Sequence, residues 1–176
     1  MNNTLVEDTI YTYNDLTFLP DGNYEIINGK RIDMSPAGFI HGEFESIFSD
    51  LLRKHLGKKG YAAVGEIGIV ISKAPFKLRA ADVVYISKGT SPQKPRGMLE
   101  IPPDLVIEII SKNRNKDFND KVIDYLSIGV KRIIGIDTQN STVTIYQHGK
   151  NVPDYYNFDD EFELFDGVKI IMNKII

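Results

Sequence analysis

Pro102-Pro103-Asp104-Leu105-Val106-Ile107-Glu108-Ile109-Ile110-Ser111 is an aliphatic run with a glutamate set in its middle. The apolar residues are mostly β-branched and the run is short, which reads as a strand buried on both faces. An ionised carboxylate in such a strand is costly unless a cation, a metal or several donors satisfy it. Upstream, Arg79-Ala80-Ala81-Asp82-Val83-Val84-Tyr85-Ile86 repeats the anomaly, with an aspartate opening a second apolar strand expected over 82–86. Two acids, one on each strand, point to a site that gathers negative charge. Strand parity places Asp104, Val106, Glu108 and Ile110 on one face and Leu105, Ile107 and Ile109 on the other.

Working outward, Tyr24-Glu25-Ile26-Ile27, Asn28-Gly29 and Lys30-Arg31-Ile32-Asp33-Met34 form a hairpin signal, because Asn-Gly suits the positive-φ positions of a type I′ turn. From residue 39 the apolar period changes to that of a helix. Phe39, Ile40, Phe44, Ile47, Phe48, Leu51, Leu52 and Leu56 mark one face, and Gly57 ends it. Residues 61–72 read as a strand interrupted at Gly65 and Gly68, where bulges or close backbone approaches are expected. Residues 87–103, with four prolines and two glycines, read as an irregular loop in contact with substrate. A helix of about three turns is expected over 115–127, stopped by Gly129, followed by strands at 131–136 and 141–146. The tail offers two short strands around Asp166-Gly167. The expected domain is single: an arm over 1–20, a core over 24–146 and terminal strands over 151–176. The order predicts an α/β fold, a mixed central β-sheet flanked by helices, with a parallel pair spanning the strand–helix–strand stretch that starts at Asp104.

Composition narrows the chemistry. The 176 residues contain no cysteine, which excludes disulfides, thiolate metal sites and cysteine nucleophiles. No signal peptide or membrane span is legible, so a cytoplasmic protein with no membrane partner is expected. The formal net charge of −3 hides an uneven distribution. Residues 73–96 carry Lys73, Lys77, Arg79, Lys88, Lys94 and Arg96 against Asp82 alone, whereas residues 151–176 carry six acids against two lysines. The local field decides binding more than the sum does. Two solvated faces of opposite sign would look the same.

On the second helix, Phe118, Val122, Tyr125 and Leu126 form the core stripe and Lys121 lies at its edge, close to Tyr125. A lysine there can lay its methylenes along the core and carry its ammonium to Asp82 and Glu108. Two carboxylates and a lysine suit phosphodiester hydrolysis: the carboxylates hold Mg²⁺ or Mn²⁺, and the lysine orients a water or opposes charge on phosphorus. The residues alone leave another reading open, a structural Glu108–Lys121 ion pair with Asp82 capping a strand. Lys112, Arg114 and Lys116 are expected to contact phosphates, with Arg79, Lys88, Lys94 and Arg96 extending the track.

These segments resemble the Uma2 family, the DUF820 group within the PD-(D/E)XK nuclease superfamily. The resemblance rests on Tyr24 to Lys30, Met34-Ser35-Pro36 with His41, Asp82-Val83-Val84, Pro103 to Ser111, and Asp117, Lys121, Tyr125 and Gly129-Val130. It implies a restriction-endonuclease-like fold and a metal-dependent nuclease acting on nucleic acid, DNA above all, with Asp82 and Glu108 as metal ligands and Lys121 as the catalytic lysine. Ala81 stands where the family usually has proline, and Ile110 stands where the superfamily signature has lysine; migration of that lysine to the next helix matches Lys121. Glu25, His41, Asp104 and Tyr125 are supporting candidates. Glu25 reads as a site carboxylate or an exposed hairpin residue, and His41 as a helix-start hydrogen-bonder or a ligand. The superfamily's habit of pairing to cut both strands implies a homodimer. A catalytically inactive binding domain on the same scaffold is the alternative.

Overall fold

The computed structural model describes residues 9–110 and 115–176, with side chains in the second helix from Asp117 onward. After a short 3₁₀ turn at Tyr13–Phe18 come β1 (Tyr24–Ile27), β2 (Lys30–Asp33), α1 (Phe39–Leu56), β3 (Gly60–Lys73), β4 (Phe76–Ser87) and β5 (Leu105–Ile110). Then follow α2 (Asn115–Ser127), β6 (Arg132–Asp137), β7 (Thr142–Gln147), β8 (Asp154–Asn157), β9 (Phe162–Phe165) and β10 (Val168–Ile170). Eight strands form one mixed sheet in the order β2-β1-β4-β5-β6-β7-β8, with β3 also paired to β4; β9 and β10 form a separate ribbon. The expected hairpin is β1–β2, with Asn28 and Gly29 both at positive φ. The expected parallel pair is β5–β6, joined through α2.

Alternation along β5 divides the core. Leu105, Ile107 and Ile109 pack with Phe44, Phe48 and Leu52 of α1 and with Phe162 and Leu164 of the tail. Val106 packs on the opposite side with Phe118, Val122 and Tyr125 of α2. Gly135 of β6 is required there, since a Cβ would stand 2.4 Å from the Phe118 ring. Among the described residues, no helix is long and apolar enough to cross a membrane.

Two local expectations are corrected. Asp82 does not open its strand; β4 starts at Phe76 and Asp82 lies in its middle. Lys77 and Arg79 disguise that start in the sequence, because both are neutralised by acids rather than facing water. The apolar face of α1 does not include Phe39 and Ile40, which are 84% and 53% exposed. Its inward turn begins at His41 and continues through Phe44, Phe48 and Leu52.

The topology of β4 makes the site. One edge of β4 pairs with β3 along its length. The other edge is shared: β1 reaches only Leu78, through Ile26, and β5 takes Val83 to Tyr85. Residues 79–82 therefore have no strand partner on that edge, and their backbone groups need side chains.

Candidate active site

Side chains close this gap in the sheet. Ala80 donates its N–H to Glu25 Oε1 at 3.1 Å, and its carbonyl accepts from Lys121 Nζ at 2.8 Å. Just beyond the last β4–β5 pair, the Ile109 N–H donates to Asp82 Oδ2 at 2.6 Å. Glu108 accepts from Lys121 Nζ at 2.9 Å and from the Tyr125 hydroxyl at 2.7 Å. Lys121 and Tyr125 are one helical turn apart on α2, so both meet the same carboxylate. Asp82, Glu108, Lys121 and Glu25 are each at most 5% exposed. Asp82, Glu108 and Lys121 line one small cleft, with Asp117 and Phe118 at its wall. Lys121 belongs to the buried face of α2, not its edge.

Burial sets the electrostatics. It pushes the Glu108 carboxyl up to about 8, with Asp82 adding to the rise and Lys121 and Tyr125 opposing it. Burial pulls the Lys121 ammonium down, but Glu108, Glu25 and Asp82 outweigh it and hold the pKa above that of a free lysine. The Tyr125 hydroxyl is raised far above its ordinary range, chiefly by burial, so it remains a donor.

Behind Lys121 lies an ion-pair network. Arg79 reaches Glu25 Oε2 at 2.6 Å and Asp124 Oδ2 at 2.7 Å, and Lys77 reaches Asp124 Oδ1 at 2.7 Å. This corrects the expected role of Arg79, which is buried between two carboxylates and has no surface to offer a phosphate. Glu25 is likewise not an exposed hairpin residue. It joins the network to Lys121, whose Nζ lies 3.4 Å from its Oε1.

On the α1 side of Asp82, His41 Nε2 lies 3.3 Å from Asp82 Oδ1 and 3.4 Å from Glu45 Oε1. Potential ligand atoms of His41, Glu45 and Asp82 all fall within 4.8 Å of one another. The Asp82 carboxylate, within hydrogen-bonding reach, raises the His41 pKa against the pull of desolvation. Glu66 lies on a bulge in β3 and lines a recess with His41 and Ile109.

Asp104 is placed elsewhere. Its carboxylate accepts from the Ser87 N–H, the Thr90 hydroxyl and Lys131, tying the start of β5 to the loop after β4. Its role as a supporting site residue is thereby corrected: its acceptors are spent on that tie. Lys88, Lys94 and Arg96 are exposed on the 87–103 loop. Lys112 and Arg114 lie outside the described residues, as does the side chain of Lys116. Sequence reasoning missed Glu45, Glu66 and Asp124. Glu45 carried a legible signal, one helical turn after His41; Glu66, in Gly65-Glu66-Ile67-Gly68, looked like an ordinary strand residue and Asp124 like an ordinary helix-surface acid.

The Uma2 family, described as "Putative restriction endonuclease", matches residues 10–173, and the chain belongs to it. The fold is similar to that of a solved structure described as "a putative nuclease belonging to DUF820" from Anabaena variabilis ATCC 29413. That likeness has a TM-score of 0.78 at 17% identity and covers 94% of this chain and 97% of the other. No curated protein matches the chain.

Proposed function

We propose that this member of the Uma2 family is a metal-dependent endonuclease that hydrolyses phosphodiester bonds in DNA. The observation that carries the reading is the meeting of Asp82, Glu108 and Lys121, from two strands and a helix, at one gap in the sheet. Their donor set fits a hard divalent cation. Burial and the neighbouring Asp82 raise the cost of ionising Glu108, and a cation between the two carboxylates relieves it. Asp82 and Glu108 would hold Mg²⁺ or Mn²⁺. Such an ion supplies an activated water and offsets charge on the phosphate.

The chain's own groups do the positioning. Tyr125 holds one Glu108 oxygen and Lys121 the other, which tethers the carboxylate at the cleft. Lys121 commits two N–H groups to Ala80 and Glu108. Its third faces Glu25 at 3.4 Å, longer than a normal hydrogen bond, and is the proton available to a water or a phosphate oxygen. Lys94 and Arg96 on the exposed loop, with Lys112, Arg114 and Lys116 after β5, would hold the DNA backbone. Two copies would be needed to cut both strands at once.

A supercoiled-plasmid nicking assay with Mg²⁺ or Mn²⁺ tests the assignment. Wild type nicks, and Asp82→Ala, Glu108→Ala and Lys121→Ala do not; equal activity in all four rejects it. One observation favours a second reading, a non-catalytic nucleic-acid- or partner-binding domain: both Glu108 oxygens already have protein donors. In that case DNA binding is salt-sensitive, and calorimetric titration of the folded chain with Mn²⁺ gives no heat of binding.

A further inference from the structure

Shared walls join three surface recesses into one groove beside the cleft. The first, of about 180 Å³, lies among Pro36, Ile40, Thr138, Gln139 and Ile109, the residue whose N–H holds Asp82. Glu66 lines it and also lines the second, of the same volume, with Asn23 and Met98. Met98 in turn lines a wider hollow with Arg96 and Glu100. The walls pair apolar surfaces (Pro36, Ile40, Met98) with uncharged hydrogen-bonding groups (Asn23, Thr138, Gln139), which suits the flat faces and polar edges of nucleobases. Glu66 and Glu100 repel phosphates, so a strand lying here turns its bases inward and its backbone toward solvent and Arg96. The backbone holds Glu66 between the recesses at a cost, with φ 57 beside Gly65 at φ 93. Its Oε2 is buried without a hydrogen-bond partner, an acceptor left for an amino group on a base edge. Where the groove meets α1, Phe39 is 84% exposed, next to Ile40 at 53%.

We propose that this groove takes an unpaired strand, so that the substrate is single-stranded DNA or a single-stranded stretch within a duplex, with Phe39 as the platform on which a base stacks. The inference rests on the reading of the cleft as a DNA-cleaving site and names the form of DNA. A paired base is stacked on both faces and shows only an edge in a groove of the duplex, so it does not enter a recess of this size. An unpaired base does, and its π-face stacks on an aromatic ring whatever the sequence. A supercoiled plasmid falls in the same class, because negative supercoiling favours local strand separation.

Binding in EDTA at pH 8 tests the groove without cleavage. There Glu66, which burial and then the Asp82 charge push up to about 7, is an acceptor alone. The probe is a short single strand carrying the fluorescent base 2-aminopurine, free or annealed to its complement. The full chain binds the single strand about tenfold tighter than the duplex, and stacking quenches the probe. Phe39→Ala and Phe39→Leu both lose the quenching and about tenfold in affinity for the single strand, and Phe39→Trp restores both. Leucine keeps an apolar surface without the π-face, so wild-type binding by Phe39→Leu overturns the stacking platform. A duplex bound as tightly as the single strand overturns the groove's selectivity, and plasmid nicking by the same sample then leaves the nuclease reading standing. Selective, Phe39-dependent binding of the single strand by a chain that nicks no plasmid with Mg²⁺ or Mn²⁺ upholds the groove and sinks the nuclease reading.

Discussion

Lys121→Met should be among the most damaging single changes in this chain, and its cost can be worked from the contacts. The ammonium donates to Ala80 O and Glu108 Oε2 and faces Glu25. Methionine keeps the packing of the methylenes but leaves the Ala80 carbonyl bare and Glu108 with Tyr125 as its single donor. Glu25 is less affected, because Arg79 and the Ala80 N–H still hold it. Removing one partner of a buried pair costs roughly 3–5 kcal/mol. For a chain of this size each kcal/mol lowers Tm by about 2–4 °C, so a fall of roughly 6–20 °C is expected. The pH dependence has a definite sign. Without the ammonium, Glu108 loses the charge that lowers its pKa, and its native-state pKa rises further above the unfolded value. Stability from a raised pKa is full below the unfolded value and lost as pH rises through the folded one. The defect therefore grows as pH rises past about 8, where wild-type Glu108 ionises and the variant's carboxyl does not. Urea unfolding followed by circular dichroism measures it. Lys121→Met/Glu108→Gln should recover most of the loss, since the neutral amide still accepts from Tyr125. A single-mutant cost below about 1 kcal/mol at pH 8, the scale of an exposed pair, would refute the reasoning, as would a double mutant as unstable as the sum of its singles.

Other expectations follow from the same contacts. Arg79→Met leaves Glu25 and Asp124 without their shared cation and should cost roughly 3–5 kcal/mol in urea unfolding, while the salt dependence of DNA binding stays that of wild type. The exposed pair Lys94→Ala/Arg96→Ala should do the reverse, with unfolding unchanged and the slope of log binding constant against log salt reduced by about 2. In chelator, the raised Glu66 pKa contributes stability below about pH 4.5 that is lost as pH rises to about 7. Glu66→Gln should flatten that part of the urea midpoint's pH profile. Gly135→Ala should destabilise by about 1–3 kcal/mol in thermal unfolding, because Phe118 must move to admit the new methyl.

The fold was legible where periodicity and burial agree. The 105–110 run, its parity and the parallel pair across α2 all follow from residues that are apolar because they are buried on both faces. The Asn28-Gly29 turn was legible from backbone sterics alone. The start of β4 was hidden because Lys77 and Arg79 are neutralised by Asp124 and Glu25, partners far away in sequence. Phe39 and Ile40 misled for the opposite reason, being apolar residues in the helical period that face solvent. At the candidate site, Asp82, Glu108 and Lys121 stood out as charges in apolar elements, and the structure brings them to one cleft. Glu66 and Asp124 carried no comparable signal, since their roles depend on a strand bulge and on a gap between β1 and β5 that one-dimensional patterning does not encode.

The central claim is that a divalent ion sits between Asp82 and Glu108 beside the Lys121 ammonium. Anomalous diffraction from a crystal of the full chain grown with Mn²⁺ tests it most directly. The account predicts a peak within coordination distance of both carboxylates, with Lys121 Nζ alongside it and not ligating. A fully occupied structure whose peaks all lie away from Asp82 and Glu108, with the Glu108–Lys121–Tyr125 contacts unchanged, would contradict it.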